Sequence, residues 1–414
     1  MRIAFIVSEF PSISETFILN QILGAIQRGH EVDIYASKSG NTSKTHSLVE
    51  KYRLLDHTYY GLMPSKRWMR VLKGIGLLPT HLFKDPVVLL RALNIFKYNY
   101  SKYSEQAAFF RLFYSAIPLL SKPPYDIIHC HFGPYGLRGV LLRDIGAIQG
   151  KIITTFHGFD VNLYIRQHKE DIYKILFKKG DFYTANTTFT ANSAIKLGCP
   201  KDKIVILPMG LDLTAYSFHP KFLAAGESVK IITVGRLVEK KGIEYSIRAV
   251  GKVLEKHPNI EYRIVGDGYL RQSLENLIAE LNLSDQVKLL GWKTQDELCQ
   301  LYADSHIFIL SSVTTADGDQ EGQGLVLQEA QAMGLPVLST LHNGIPDGVL
   351  DGESGFLVPE RNVDALAEKL RYLVENPSVW SDMGRAGRAH VEKDYDINKL
   401  NDRLIEIYQQ LLLS

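Results

Sequence analysis

The sequence predicts an α/β protein built from two doubly wound parallel sheets. Three observations predict it. Short Val/Ile-rich runs alternate with longer amphipathic stretches along the chain. The runs form two series separated by a segment of weak periodicity. The residues with chemistry in them stand where the runs end. Near-continuous apolar strands separated by helical patterns belong to parallel sheets with both faces covered.

The first series comprises 2–7, 31–36, 126–131, 151–156, 182–186 and 204–208. The second comprises 229–235, 261–266, 287–291, 306–311, 336–340 and 355–359. Between Pro208 and Ser228 lie Gly210, Pro220 and Gly226, which punctuate rather than continue a strand or helix. The expected division is therefore a first domain over 1–210 and a second over 211–394. Residues 394–413 read as one helix with apolar positions at Leu400, Leu404, Ile405, Ile407, Tyr408, Leu411 and Leu412. Periodicity leaves open whether it packs on the second domain or returns to the first. Doubly wound sheets bind ligands beyond the carboxyl ends of their strands, so the two domains are expected to face across a cleft.

Composition narrows the function. With 45% hydrophobic and 22% charged residues the chain can bury full cores, and a net charge of +2 argues against a general nucleic-acid binder. Cys130, Cys199 and Cys299 are odd in number and far apart, which fits neither a disulfide framework nor a metal finger and suggests a reducing, cytoplasmic setting. The apolar run 2–7 is cut off by Glu9, too early for a signal-peptide core. No stretch of about 20 uncharged apolar residues predicts a membrane span.

The segment from Glu321 to Glu329 carries the sharpest signal. It sets two carboxylates eight positions apart, with Gly322, Gly324 and an apolar run between them. Glycines before a helix leave backbone N–H groups approachable by a phosphate at the positive end of the helix dipole. Carboxylates repel phosphate but suit hydroxyls. A ligand with hydroxyls at both ends and phosphates between is a sugar nucleotide. The loop Gly235-Arg236-Leu237-Val238-Glu239-Lys240-Lys241-Gly242 follows a strand and precedes a helix. From there Arg236 offers a planar fork, and Lys241 a point charge, to a diphosphate.

Other strand ends are weaker signals. His157-Gly158-Phe159-Asp160 ends a strand, with Asp160 placed to orient the His157 ring. Ser12 and Glu15 have capping-box spacing before a helix that stops at Gly29. Gly266-Asp267-Gly268 is a turn able to shape a base pocket, and 342–347 either touches a sugar or turns the chain. Residues 351–355 resemble a hairpin turn. His129 and His131 share one strand face but lack further zinc ligands. Asp317-Gly318-Asp319 reads as a mobile loop rather than a cation site. Residues 64–122 combine cations such as Arg70 and Arg111 with Trp68, Phe83 and Phe96. They read either as amphipathic helices on the first sheet or as a contact with an anionic membrane surface or a lipid-linked substrate.

Taken together, Glu321 and Glu329, the Gly235-Arg236 to Lys241-Gly242 loop, His157 to Asp160, and Pro208-Met209-Gly210-Leu211-Asp212 resemble the retaining glycosyltransferases of family 4. The resemblance covers nearly the whole chain and implies the GT-B fold of two Rossmann-like domains. Residues 10–17, and 316–319 with Gly322, further resemble members that build bacterial exopolysaccharide, colanic-acid-like or capsular polymers. The resemblance implies that Arg236 and Lys241 bind the donor diphosphate, Glu329 the ribose and Glu321 the transferred sugar, with His157 near the reacting face. Gly235, Gly266, Gly322, Gln323, Gly324 and Leu325 would complete the donor site. Ser14, Glu15 and Asp160 would lie on the acceptor side. The first domain would hold a glycan or lipid-linked acceptor, and the last helix would cross back to it. A Gly-Gly common in the first loop of the family is replaced here by Ile13-Ser14-Glu15.

The resemblance also implies no metal and no cofactor beyond a nucleotide-diphosphate sugar as substrate, no nucleic acid, and a cytoplasmic protein or one at the cytoplasmic face of the inner membrane. No nucleophile stands out for double displacement. Attack on the face the leaving group departs from is therefore expected, with a phosphate oxygen taking the acceptor proton. The rival readings are a glycosidase, a nucleotide-sugar epimerase, and an inactive partner subunit of a polysaccharide-assembly complex.

Overall fold

The computed structural model describes residues 1–12, 15–40, 47–61, 63–108 and 110–414. Its contacts divide the chain into two units: 1–186 with 190–207 and 401–414, and 187–189 with 208–400. Both are Rossmann-like parallel sheets covered by helices.

The first unit holds seven strands: β1 Arg2–Phe10, β2 Glu31–Ser39, β3 Thr58–Tyr60, β4 Ile127–His131, β5 Lys151–Phe156, β6 Phe182–Ala185 and β7 Ile204–Ile206. Their order is β3-β2-β1-β4-β5-β6-β7, and every pairing is parallel. The chain winds outward from β1 to one side and from β4 to the other, so the switch point lies between β1 and β4. β4 is buried at all five positions, as a central parallel strand must be. β3 has the sequence Thr-Tyr-Tyr and no aliphatic run, so periodicity alone did not reveal it.

The second unit holds six: β8 Val229–Val234, β9 Ile260–Val265, β10 Val287–Gly291, β11 Ile307–Leu310, β12 Val337–Thr340 and β13 Gly355–Val358. The order is β10-β9-β8-β11-β12-β13, again parallel throughout, with the switch point between β8 and β11. Residues 351–355 do not form the expected hairpin. They make a turn that feeds β13, which runs parallel to β12.

Pro208, Met209 and Gly210 belong to the second unit, not to the end of the first. Both the Met209 N–H and its carbonyl bond to the Gln323 side chain. A β-carbon on Gly210 would lie 2.8 Å from Ile397 Cα. The terminal helix Ile397–Leu413 buries Leu404, Ile405, Ile407, Tyr408 and Leu411, and from Asn401 onward it belongs to the first unit. There the Tyr408 hydroxyl meets Nδ1 of His129 at 2.6 Å, in full burial. Tyr408→Phe strands that nitrogen without a partner. It should cost about 1–3 kcal/mol in urea unfolding followed on the first unit, and an unchanged midpoint would remove this bond from the account.

Candidate functional site

The second unit gathers its charged groups at the β8/β11 switch point. Gly235 directly follows β8, and a β-carbon there would approach the Lys241 side-chain methylenes to 3.4–3.5 Å. Lys241 closes a short turn, and Gly242 follows at φ +59. A β-carbon on Gly242 would fall 1.9 Å from the Ser311 carbonyl, so only glycine lets the loop after β8 lie on the end of β11. Gly266 plays the same part for β9, since its β-carbon would meet the Gly235 carbonyl at 1.9 Å.

This close approach aims Lys241 at Glu321. The two form an ion pair with only 11% and 13% of their side chains exposed. Burial pushes the Glu321 carboxyl up, but Lys241 above all, with Lys240, outweighs it and holds the group below the usual carboxylate range. Glu321 is therefore ionised at neutral pH. Lys240 turns the other way, onto Asp319 at 3.1 Å and the Gln320 carbonyl at 3.3 Å. The 317–319 acidic turn thus takes a lysine of the neighbouring loop as its cation. Arg236 is exposed and makes no ion pair among the described residues.

His342 supports Glu321 from behind. It is fully buried, and its Nε2 accepts the Glu321 backbone N–H at 3.2 Å and Asn343 Nδ2–H at 2.9 Å. The proton therefore sits on Nδ1, which donates to Glu360 at 2.7 Å. Glu360 also accepts the Thr314 N–H at 2.8 Å, tying both ends of the 314–321 loop to β13. Sequence reasoning left His342 undecided and missed Glu360. Glu360's position directly after a strand was the available signal.

Gly324, at φ +75, opens the helix Leu325–Ala332, and Gly322 lies two residues earlier. Gln323 is a correction. Its side chain is spent on the Met209 peptide, which leaves only its backbone for a ligand. Glu329 lies on the helix, where it accepts Tyr302 O–H at 3.1 Å and is also bonded by Tyr216. Burial raises its pKa against the pull of those tyrosines and Lys241. Neither tyrosine was anticipated, because each is separated from Glu329 by dozens of residues.

The first unit presents a different chemistry at its β1/β4 switch point. His129, His131 and His157 form a stack, with ring centres 4.5 Å apart for the first pair and 5.3 Å for the second. His129 also meets Thr155 Oγ1 at 2.7 Å, and His131 Nδ1 meets His157 Nε2 at 3.1 Å. His157 Nδ1 is buried without a hydrogen-bond partner. Asp160 does not orient this ring. Its carboxylate, wholly buried, accepts the N–H groups of His157, Gly158 and Gly133 at 2.8–3.0 Å. It clamps backbone and has no face for an acceptor, which corrects its assignment as a contact. Glu15 is the N-terminal flank of the helix Thr16–Gln27 and makes no side-chain cap, so the expected capping box does not form. Ser14 lies outside the described residues. Among the described residues no group of three or more His, Cys, Asp or Glu could hold a metal ion.

Burial lowers the pKa of His129 and His157 to about 3, and that of His131 well below its ordinary value. Below the unfolded histidine value near 6.5 the folded chain therefore binds fewer protons, and stability falls with acid. Burial also pushes Asp160 up to about 6 and Glu15 up to about 7, which acts in the opposite sense. His157→Gln should flatten the acid limb of stability against pH by about 1.4 kcal/mol per pH unit between about pH 6 and 4. An unaltered slope in urea titrations would show that His157 is not held neutral.

Comparison with known proteins follows the same division. Residues 14–215 match the family model described as Glycosyltransferase Family 4, and residues 217–390 match Glycosyl transferases group 1. The chain is 35% identical over 99% of its length to the whole of WcaL from Salmonella typhimurium, a glycosyltransferase provisionally assigned to colanic acid biosynthesis. It is 33% identical, also over 99%, to the whole of the amylovoran biosynthesis glycosyltransferase AmsK of Erwinia amylovora. Among solved structures, Anabaena HepE in complex with UDP and glucose is similar in fold, with a TM-score of 0.69 at 17% identity, covering 99% of this chain and 100% of that one. Sucrose-phosphate synthase of Thermosynechococcus elongatus gives 0.70 at 20%, covering 100% and 99%.

Proposed function

The chain belongs to the glycosyltransferases that join a family 4 first half to a group 1 second half, and from that premise we infer that it moves a sugar from a nucleotide-diphosphate donor onto a growing bacterial exopolysaccharide. The two relatives named for colanic acid and amylovoran biosynthesis, each similar over its full length, support the polymer. The epimerase reading finds no support among them.

The observation that carries the donor is the arrangement at the β8/β11 switch point. Exposed Arg236, buried Lys241 and the Gly322–Gly324 backbone before a helix meet the needs of a diphosphate. Glu329, held by two tyrosines, accepts from ribose hydroxyls. Glu321, ionised and fixed from behind by His342, accepts from sugar hydroxyls. As the glycosidic bond breaks, negative charge grows on the departing phosphate, and Arg236 and Lys241 stabilise it. We assign retention of anomeric configuration, through attack on the departure face with a phosphate oxygen taking the acceptor proton. His157, with its open Nδ1, is the group of the first unit suited to a hydroxyl-bearing ligand. No metal is assigned a step.

The region 64–122 supports a membrane surface contact. On the helix Arg67–Leu82, Trp68, Leu72 and Ile75 are each more than half exposed at i, i+4 and i+7 spacing, and Phe83 and Phe96 are almost fully exposed. Exposed Lys66, Lys84 and Lys97 lie among them. Among the described residues no helix is long and apolar enough to cross a membrane. An apolar stripe with interspersed cations suits the surface of an anionic bilayer, where a lipid-linked acceptor would be found.

Two experiments test these readings. In a thermal-shift panel of UDP, GDP and ADP, one base should stabilise the protein by about 2.7 kcal/mol at a hundredfold excess over its Kd. With the matching sugar nucleotide, Arg236→Ala should then lower turnover roughly 10²–10³-fold. Stabilisation by none of the three, or full turnover in the variant, refutes the donor site. In flotation assays the protein should rise with phosphatidylglycerol vesicles and not with phosphatidylcholine alone. Trp68→Ser with Phe83→Ser should cut the bound fraction at least about tenfold, the equivalent of about 1.4 kcal/mol of lost apolar burial. Equal flotation of variant and parent would end the membrane proposal.

A further inference from the structure

The first unit contains a cavity of about 590 Å³ beside the carboxyl ends of β1, β2 and β3, within the size range of small-molecule sites (about 300–1,000 Å³). Arg70, Arg111, Arg138 and Lys38 line it, against one carboxylate, Glu105. The partners of these cations are unusual. Arg138 is only 4% exposed, yet its guanidinium bonds to neutral groups alone: Gln106 Oε1 at 2.7 and 3.1 Å, and the Ser37 hydroxyl. It lies 4.7 Å from the centre of the Tyr135 ring and has no ion-pair partner among the described residues. Arg70 donates to the carbonyls of Pro64 and Ser65. Arg111 pairs with Glu105 at 3.2 Å, but its Nε is buried without a hydrogen-bond partner.

A buried cation without a counter-charge is costly, and this fold supplies counter-charges to several of its partly buried arginines. Arg143 has Asp181, Arg28 has Asp402, and Arg2 has Glu31 and Asp33. The three arginines around the cavity share a single carboxylate, and Arg138, the most buried, has none. The missing charge is one that arrives from outside, and the guanidinium fork is the donor geometry that holds oxyanions in pairs of bonds. Tyr59, Tyr114 and Tyr135 line the same space and give it aromatic walls.

We propose that this cavity is an anion-recognition subsite that selects an acceptor bearing an oxyanion, either the carboxylate of an acidic sugar or the phosphate of a lipid-linked one. The proposal rests on the transfer reading above and deepens it by naming the acceptor's charge.

The test measures binding of D-glucuronate and inorganic pyrophosphate, with D-glucose as the neutral control, by thermal shift on the full chain in a saturating mixture of UDP, GDP and ADP that occupies the donor site. Arg70→Gln and Arg111→Gln are compared with the parent; Arg138 is left intact because its burial endangers folding. One or both anions should bind, glucose should not, and added salt should weaken the binding. Arg70→Gln and Arg111→Gln should each weaken it about tenfold or more, the scale of one charge-assisted bond. Binding of glucuronate alone identifies an acidic sugar, and binding of pyrophosphate alone a phosphate-linked acceptor. If neither anion binds, or if binding ignores both cavity variants, the proposal is overturned. The nucleotide panel run on the same variants separates the two readings. Nucleotide binding without anion binding leaves the transfer reading intact, and loss of both removes its foundation.

Discussion

Lys241 and Glu321 are each almost withdrawn from water, and neither could stay charged there alone. Much of the second unit's architecture serves that pair. Gly242 must be glycine so that the loop after β8 can rest on the Ser311 carbonyl and deliver Lys241. Gly266 must be glycine so that the neighbouring loop does not lift the Gly235 backbone away. His342 and Glu360 fix the peptide of Glu321 from the opposite side. The pair is thus preorganised by backbone packing on one side and a buried imidazole on the other. Ionised groups held rigid in a low-dielectric site act more strongly on developing charge than mobile ones do in water.

The first unit handles burial by the opposite means. Its switch point holds three imidazoles whose charged forms are suppressed by burial, bonded to hydroxyls and to one another. A neutral imidazole offers one donor and one acceptor, which suits hydroxyl-bearing ligands and carries no cost of an unpaired charge. Asp160 completes this design by fixing the loop that carries His157 while its own oxygens are consumed by backbone N–H groups. The two switch points therefore present different chemistry on the same topology: fixed ions in one, neutral polar rings in the other.

Both sheets were legible in the sequence because buried parallel strands read as short apolar runs, and among the described residues every strand but β3 falls on such a run. β3 escaped because Thr-Tyr-Tyr has no aliphatic period. The candidate site was legible where chemistry was local, as in Glu321 to Glu329 and Gly235 to Gly242. It was illegible where partners meet through the fold. Tyr302, on the helix Gln295–Ala303, and Tyr216, in the segment before β8, reach Glu329, and Glu360 reaches His342, only because the fold brings segments distant in sequence together. Spacing also misassigned side chains whose residue type suited two roles. Asp160 and Gln323 both look like ligand contacts in sequence, and both are consumed by backbone amides. No one-dimensional pattern separates a carboxylate that clamps a loop from one that faces a substrate.

The distribution of counter-ions distinguishes the two kinds of cation in this chain. Lys240, Arg143 and Arg28 are each matched by a carboxylate of the fold, so their charges are neutralised internally. Arg236 on the second unit, and Arg138 with Arg70 on the first, carry no such match among the described residues. An exposed arginine keeps its hydration and tolerates this. A buried one does not, and Arg138 is buried more deeply than Arg143 or Arg28. Stability alone would favour a carboxylate or an apolar replacement at that position. Keeping an unmatched guanidinium against a cavity is what selection for a charged ligand produces, because a site tuned to a partner is left incomplete without it.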